Sequence, residues 1–300
     1  MRALVISGGG SKGAFAGGVA QYLIEELKRD YQLYLGTSTG SLLVSHLALT
    51  KIEKIKQVYT SVNNESIFNI CPFIIKEKYG TQNIGIHHFN VLRNFLRGSK
   101  TFGESLNLKK LIRETLTEDE FLELKHSTND IIVTVANLSL NQVEYKCIND
   151  FSYDDFCDWI WISCNFTPFM SLVSKNKFDY ADGGLGSMVP IEEAIRRGAT
   201  EVDAIILQTE ISQLNRMPSR NAFSLLSNMF NFMLDRIEHQ NIRIGKFVAS
   251  YQDVIINFYY TPTVLTTNSL IFNKEKMTKW WKSGYEFAKF KNQETSQLEI

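Results

Sequence analysis

The sequence predicts an α/β fold built on a mainly parallel sheet. Three observations carry that expectation. The first 50 residues read strand, helix, strand, helix, which is the pattern of parallel strands joined by crossover helices. Two later runs, Asp130 to Asn137 (DIIVTVAN) and Val202 to Gln208 (VDAIILQ), are apolar enough to be strands buried on both faces. Glycine-marked turns follow three of the expected strands: GGGSKG at Gly8 to Gly13, GTSTG at Gly36 to Gly40, and DGG at Asp182 to Gly184.

Taken in order, RALVIS (Arg2 to Ser7) is a continuous apolar run that suits a buried parallel strand. After the first glycine turn, Phe15, Val19, Tyr22, Leu23 and Leu27 recur at helical spacing. YQLYLG then gives a second strand, ending at Ser38, and a second helix follows. Lys51 to Ser61 is expected to be helical. The stretches SIFNICPFIIKEKYG and NIGIHHFNVLRNFLRG are apolar but broken by Pro72 and Gly85, and read as an irregular insertion forming one wall of a pocket. Leu108 to Leu116 and Asp154 to Cys164 suit helices. Gln142 to Ile148 alternates and can pair with the DIIVTVAN strand. Lys177 to Ala181 reads as a strand ending at Asp182, and Pro190 to Arg197 as a helix with proline near its first turn. Ser224 to Ser250, Val254 to Tyr260 and Lys274 to Phe290 complete the pattern as helix, strand and helix. No repeat or low-complexity linker divides the chain. It is read as one domain, 1–300, with its motifs in 1–210 and a helix-and-strand continuation in 211–300.

The bulk numbers exclude several classes. Hydrophobic residues make up 44% and charged residues 21%, so the chain is globular. Lysine plus arginine and aspartate plus glutamate both count 32, so no basic excess points to nucleic acid. Cys71, Cys147, Cys157 and Cys164 form no C-x-x-C, and they read as free thiols of a reducing compartment. No apolar run reaches the length of a membrane span, and MRALVISGGG lacks a signal-peptide pattern. The expected location is cytoplasmic, with peripheral membrane contact open to it.

G-x-S-x-G between a strand and a helix is the arrangement of a nucleophile elbow. Gly36, Thr37, Thr39 and Gly40 are the small flanking residues that a sharp turn needs, and they lift Ser38 to the start of a helix. Small residues at a helix start are also ordinary N-cap chemistry, so the strand–turn–helix context decides. GGGSKG fits the dinucleotide fingerprint G-x-G-x-x-G in form. That fingerprint wants an acidic residue at the end of the second strand, where Ser38 stands instead. Ala14 after Gly13 excludes a P-loop. The remaining use of Gly8, Gly9, Gly10, Ser11, Lys12 and Gly13 is an oxyanion hole of backbone N–H groups beside Ser38.

A base is still needed. His46 lies eight residues past Ser38, about 12 Å along the same helix. His87 and His88 fall in the irregular insertion, His126 precedes a strand, and His239 sits on a solvated helix face. Asp182, at the tip of a strand, is the simpler partner, provided that burial raises its pKa.

GGGSKG, GTSTG and DGG, in that order, resemble the patatin-like phospholipase family, and its bacterial members in particular. The resemblance implies a three-layer α/β/α fold around a central mainly parallel sheet. It also implies that Ser38 is the nucleophile, Asp182 the base with Gly183 and Gly184 shaping its loop, and lipid acyl esters the substrate. No metal or cofactor is implied. ISCNFTPFM (Ile162 to Met170) resembles the family's A-S-x-A-x-P segment, with Asn165 in place of a small residue. In DGGLGSMVP, Met188 stands where the family has asparagine, and Lys12 stands for the commoner arginine. The expected function is therefore a phospholipase A or lysophospholipase type of acyl-hydrolase. The alternatives are an esterase or acyltransferase on other acyl esters, or a weakly active lipid-binding protein. Ser66 to Ile75 and Asn221 to Leu234 are candidate walls of the acyl site, ordinary core being the competing reading. Head-group preference and oligomeric state are not encoded legibly.

Overall fold

The computed structural model describes residues 1–78, 81–211, 219 and 222–298. The chain opens with β1 (Arg2–Ile6), α1 (Gly13–Gln21, continued by a π turn at Tyr22–Glu26), β2 (Leu33–Thr37) and α2 (Thr39–Ala48). This is the expected β-α-β-α unit. Helix α3 (Ile52–Ser61) follows where a helix is expected. The stretches expected to be irregular hold regular elements: α4 (Asn64–Ile67), a separate antiparallel hairpin of β3 (Phe73–Lys78) and β4 (Thr81–Ile86), and α5 (His88–Leu96). Tyr79 and Gly80 lie outside the described residues. Pro72 precedes the first hairpin strand rather than breaking it, which is why the sequence reads as interrupted.

Next come α6 (Leu106–Thr115), α7 (Glu118–His126), β5 (Asp130–Asn137) and β6 (Gln142–Cys147). Helix α7 was not expected, yet its start carries a readable signal. Thr117 and Glu120 form a reciprocal capping box, with Glu120 N–H donating to Thr117 Oγ1 and Thr117 N–H to the Glu120 carboxylate. The chain continues with α8 (Tyr153–Ser163), β7 (Val173–Lys175), β8 (Phe178–Asp182), α9 (Ile191–Arg196) and β9 (Glu201–Ile206). It finishes with α10 (Ala222–Tyr251), β10 (Ile255–Tyr260) and α11 (Lys274–Leu298).

The main sheet runs β10-β9-β1-β2-β5-β8-β7, with β6 also on β5. The five strands from β10 to β5 are parallel to their neighbours. Strands β6, β8 and β7 add antiparallel pairs. Side chains of successive residues point to opposite faces of a strand. Leu4 and Ile6 of β1 therefore enter one core with α1, α2 and α8, and Ala3 and Val5 enter a second with α9 and α10. The sheet is thus the middle of three layers. Helix α11 lies on α1, where the Trp281 ring covers Gly17 and its Nε1 donates to Gln21 Oε1 at 2.8 Å. Among the described residues, no helix is long and apolar enough to cross a membrane.

Strand pairing also positions the chemistry. Strand β5 has β6 along one edge, so β2 and β8 share the other. Thr37 of β2 pairs with Thr134, and Asp182 of β8 pairs with the next residue, Val135. The antiparallel strand ends where the parallel one ends, and the two tips meet.

Candidate active site

The first two glycine turns stand side by side because their strands do: Ile6 of β1 is in register with Gly36 of β2. Both lie at the carboxyl ends of parallel strands, where α/β sheets open crevices. Ser38 has φ 52° and ψ −118°, a conformation unfavourable for any residue but glycine. Its surroundings hold it there. Ser38 N–H donates to Ser163 Oγ at 3.0 Å, and the Ser38 carbonyl accepts from Ser41 N–H at 2.9 Å and Cys164 Sγ at 3.1 Å. The elbow also needs its last glycine: a Cβ on Gly40 would lie 2.3 Å from the Ile6 carbonyl oxygen.

Asp182 closes the site from β8. It is buried, its N–H donates to the Asn165 carbonyl at 2.9 Å, and its Oδ1 accepts from Gly184 N–H at 2.8 Å. The Ser38 side chain lies close enough to the carboxylate to lower its pKa. Burial pushes the carboxyl up to about 7, against the lowering effect of the Ser38 side chain and the Gly184 hydrogen bond. Gly183 and Gly184 form the short turn behind it. The Cys164 thiol beside them is pushed up by burial and by the Asp182 charge, so it is an inert thiol.

The glycine loop is bound unevenly. Gly8 N–H donates to the Met188 carbonyl at 3.2 Å, Ser11 N–H to the Ser269 carbonyl at 2.8 Å, and Lys12 N–H to the Gly9 carbonyl at 3.1 Å. Gly13 N–H closes onto Gly10 and Ser11. Among the described residues, the amides of Gly9 and Gly10 have no acceptor. Helix α2 begins at Thr39, so its positive end lies at Ser38. Lys12 turns away, its Nζ donating to the Leu207 carbonyl at 2.6 Å, so it ties the loop to the end of β9.

Several further side chains hold this arrangement, and two of them, Tyr59 and Asn241, lie outside the sequence motifs. The Tyr59 hydroxyl on α3 donates to the Gly10 carbonyl at 2.5 Å and accepts from Thr39 Oγ1, which joins the glycine loop to the elbow helix. Thr37 Oγ1 donates to the Ser187 carbonyl at 2.9 Å and ties β2 to the Asp182 turn. Met188 lacks the amide of an asparagine, but Asn241 of α10 supplies one from outside. Its Oδ1 accepts from Met188 N–H at 2.7 Å and Val189 N–H at 3.3 Å. The Met188 sulfur sits where a Cβ on Gly8 would be, 2.5 Å away, so it fills the space between the glycine loop and Asp182. Tyr59 carries no signal in the sequence. Ser163 and Cys164 do, inside ISCNFTPFM. Removing the hydroxyl in Tyr59→Phe leaves Thr39 and Gly10 without their bridge. A loss of about 1–2 kcal/mol in thermal denaturation is expected, with kcat falling about tenfold.

The histidines do not enter the site. His46 is buried on α2 with Nε2 3.3 Å from the Thr115 carbonyl, and burial lowers its pKa. His87 caps α5, accepting from Asn90 N–H.

The patatin-like phospholipase family matches residues 4–195, and the chain belongs to that family. The chain is 25% identical over 227 residues to the uncharacterized protein YjjU of Escherichia coli strain K12, covering 72% of this chain and 54% of that protein. Among solved structures it resembles the crystal structure of VipD from Legionella pneumophila. The TM-score is 0.47 and the identity 14%, over 96% of this chain and 66% of that one. The chain thus spans about half the length of the first relative and under two thirds of the second.

Proposed function

We propose that the protein is a serine acyl-hydrolase of phospholipid or lysophospholipid esters that works through a Ser38–Asp182 dyad. The observation that carries this reading is the buried Asp182 carboxyl, pushed up to about 7 with the Ser38 side chain beside it. A carboxylate of that pKa takes a hydroxyl proton far more readily than an ordinary aspartate. Ser38 Oγ attacks the acyl carbonyl while Asp182 receives its proton. The carbonyl oxygen becomes an oxyanion facing the Gly9 and Gly10 amides and the start of α2. Collapse expels the lysolipid alcohol, which takes the proton back from the protonated Asp182 carboxyl. Water then attacks the acyl-enzyme, with Asp182 as base again, and fatty acid leaves.

The test is chemical. The protein is treated with a fluorophosphonate and the adduct mapped by peptide mass spectrometry, while fatty acid release from phospholipid vesicles is followed before and after labelling. One adduct on the peptide bearing Ser38, with release lost in proportion to labelling, supports the reading. Release that continues from fully labelled protein rejects Ser38 as nucleophile. Absence of both adduct and release favours a binding role.

A further inference from the structure

We propose that the outer face of α5 and the first half of α10 form one docking surface for an anionic phospholipid bilayer. This rests on the lipid-hydrolase reading above, and it adds where and how the substrate surface is met.

Helix α5 is turned inside out. Its Asn94 is completely buried, with Nδ2 donating to Ser99 Oγ at 3.0 Å and to the Thr101 carbonyl at 2.9 Å. Its apolar residues face away: Phe89, Leu92 and Leu96 are 69%, 58% and 80% exposed. At 100° per residue they fall on one arc, roughly opposite Asn94. A helix of a globular protein ordinarily points that stripe at the core. Here the buried amide holds it outward, so the exposure is built in.

The charge is one-sided. From His87 to Lys100 the chain carries Arg93, Arg97 and Lys100 and no acidic residue, although the whole protein is balanced at 32 against 32. Arg93 and Arg97 are exposed beside the apolar arc. On α10, Leu225, Met229, Phe232 and Met233 are exposed on one face, Arg236 follows on the same face, and no acidic residue occurs between Ala222 and Leu234. Exposed apolar residues flanked by cations match the interface of an anionic membrane.

A chain of packed aromatic rings links the two helices. Ring centroids of Phe95 and Phe102 are 6.0 Å apart, Phe102 and Phe169 5.7 Å, and Phe169 and Phe230 5.9 Å. Phe230 of α10 also meets Phe166 at 5.8 Å. Phe166 directly follows Asn165, whose carbonyl accepts the Asp182 N–H. The exposed rim therefore leads by continuous contact to the candidate base. Of the two expected acyl-site walls, Ser66 to Ile75 is largely core, with Ile67, Phe68 and Phe73 buried. The other supplies the exposed rim, apart from Asn221, which lies outside the described residues. A second copy fits this surface less well. A symmetric contact would set Arg93, Arg97 and Lys100 against their own kind, whereas lipid phosphates neutralise them.

The experiment measures binding in the Ser38→Ala background, so that a failure of the proposed hydrolysis leaves the readout untouched. Sedimentation is followed with phosphatidylcholine vesicles, with and without phosphatidylglycerol. Leu92→Asp/Leu96→Asp, changing two exposed positions, is expected to weaken binding about a hundredfold with the melting temperature unchanged. Arg93→Gln/Arg97→Gln is expected to weaken binding to the anionic vesicles about thirtyfold and to neutral vesicles much less. Leu96→Trp should shift its emission to the blue on adding anionic vesicles. Binding of the double-aspartate variant equal to its parent, or no binding to either vesicle, overturns the proposal. A dimer on gel filtration that the double-aspartate variant abolishes reassigns the surface to a second copy.

Discussion

Asp182→Asn is expected to lower kcat about a thousandfold, since a general base of this kind contributes about 10²–10⁴ and the amide cannot take the Ser38 proton. The substitution is nearly isosteric, and the Asn165, Gly184 and Val135 contacts that position the residue are made by its backbone or its carboxyl oxygen. The fold should therefore survive, and at alkaline pH it should gain stability. Burial raises the folded-state carboxyl from 3.8 to about 7. Between those values the folded protein holds a proton that the unfolded chain has lost, so stability falls as pH rises through that window. Above it the ionised, buried carboxylate costs about 4 kcal/mol relative to a neutral residue. The asparagine variant should melt higher than wild type at pH 8, and the difference should vanish toward pH 4. Activity has the opposite dependence. Wild-type kcat/KM should climb about tenfold per pH unit below 7 and level off above, because only the ionised form accepts the proton. That slope should be absent in the variant's residual rate. Near-normal turnover by Asp182→Asn would reject the dyad, and a lowered melting temperature at pH 8 would reject the buried-charge account.

The glycines of this candidate site are legible in the sequence because backbone crowding dictates residue type. Gly40 lies against the Ile6 carbonyl, and Gly10 needs a positive φ, so glycine is written into the sequence wherever the chain passes closest. The central strands were legible for a similar reason: burial on both faces demands the unbroken apolar runs of β1, β5 and β9. The pairing of strands was not legible. That β2 and β8 meet tip to tip along one edge of β5, and so bring Asp182 to Ser38, depends on register between segments some 140 positions apart. The hydroxyl bridge from Tyr59 and the amide from Asn241 were hidden likewise, since neither lies in a motif and each matters only through what it touches. Helix α5 failed to declare itself for a different reason. Its periodicity is intact, but its apolar arc faces outward and Asn94 faces in, so a pattern that ordinarily locates a core locates a surface here.

Gly10→Val should cost about as much catalysis as loss of the base, by another route. Gly10 has φ +55°, and a Cβ there would lie 2.3 Å from the Ser269 carbonyl oxygen, which already accepts the Ser11 N–H. A β-branched residue at positive φ is strained in any surroundings, and here it also meets backbone that has no rotamer to change. The loop must move, and with it the two amides, Gly9 and Gly10, that have no acceptor of their own among the described residues. Displacing one oxyanion donor typically costs about 10²–10³ in kcat, so moving both should cost about 10³ or more. The distinguishing measurement is the rate of fluorophosphonate labelling beside kcat. The phosphonyl oxygen takes the place of the oxyanion, so both rates should fall together in Gly10→Val, while KM changes little. The milder Gly10→Ala keeps the strain with a smaller side chain and should fall between wild type and valine. If the alanine variant turned over within about threefold of wild type, the oxyanion would have to be held elsewhere, by the start of α2 alone.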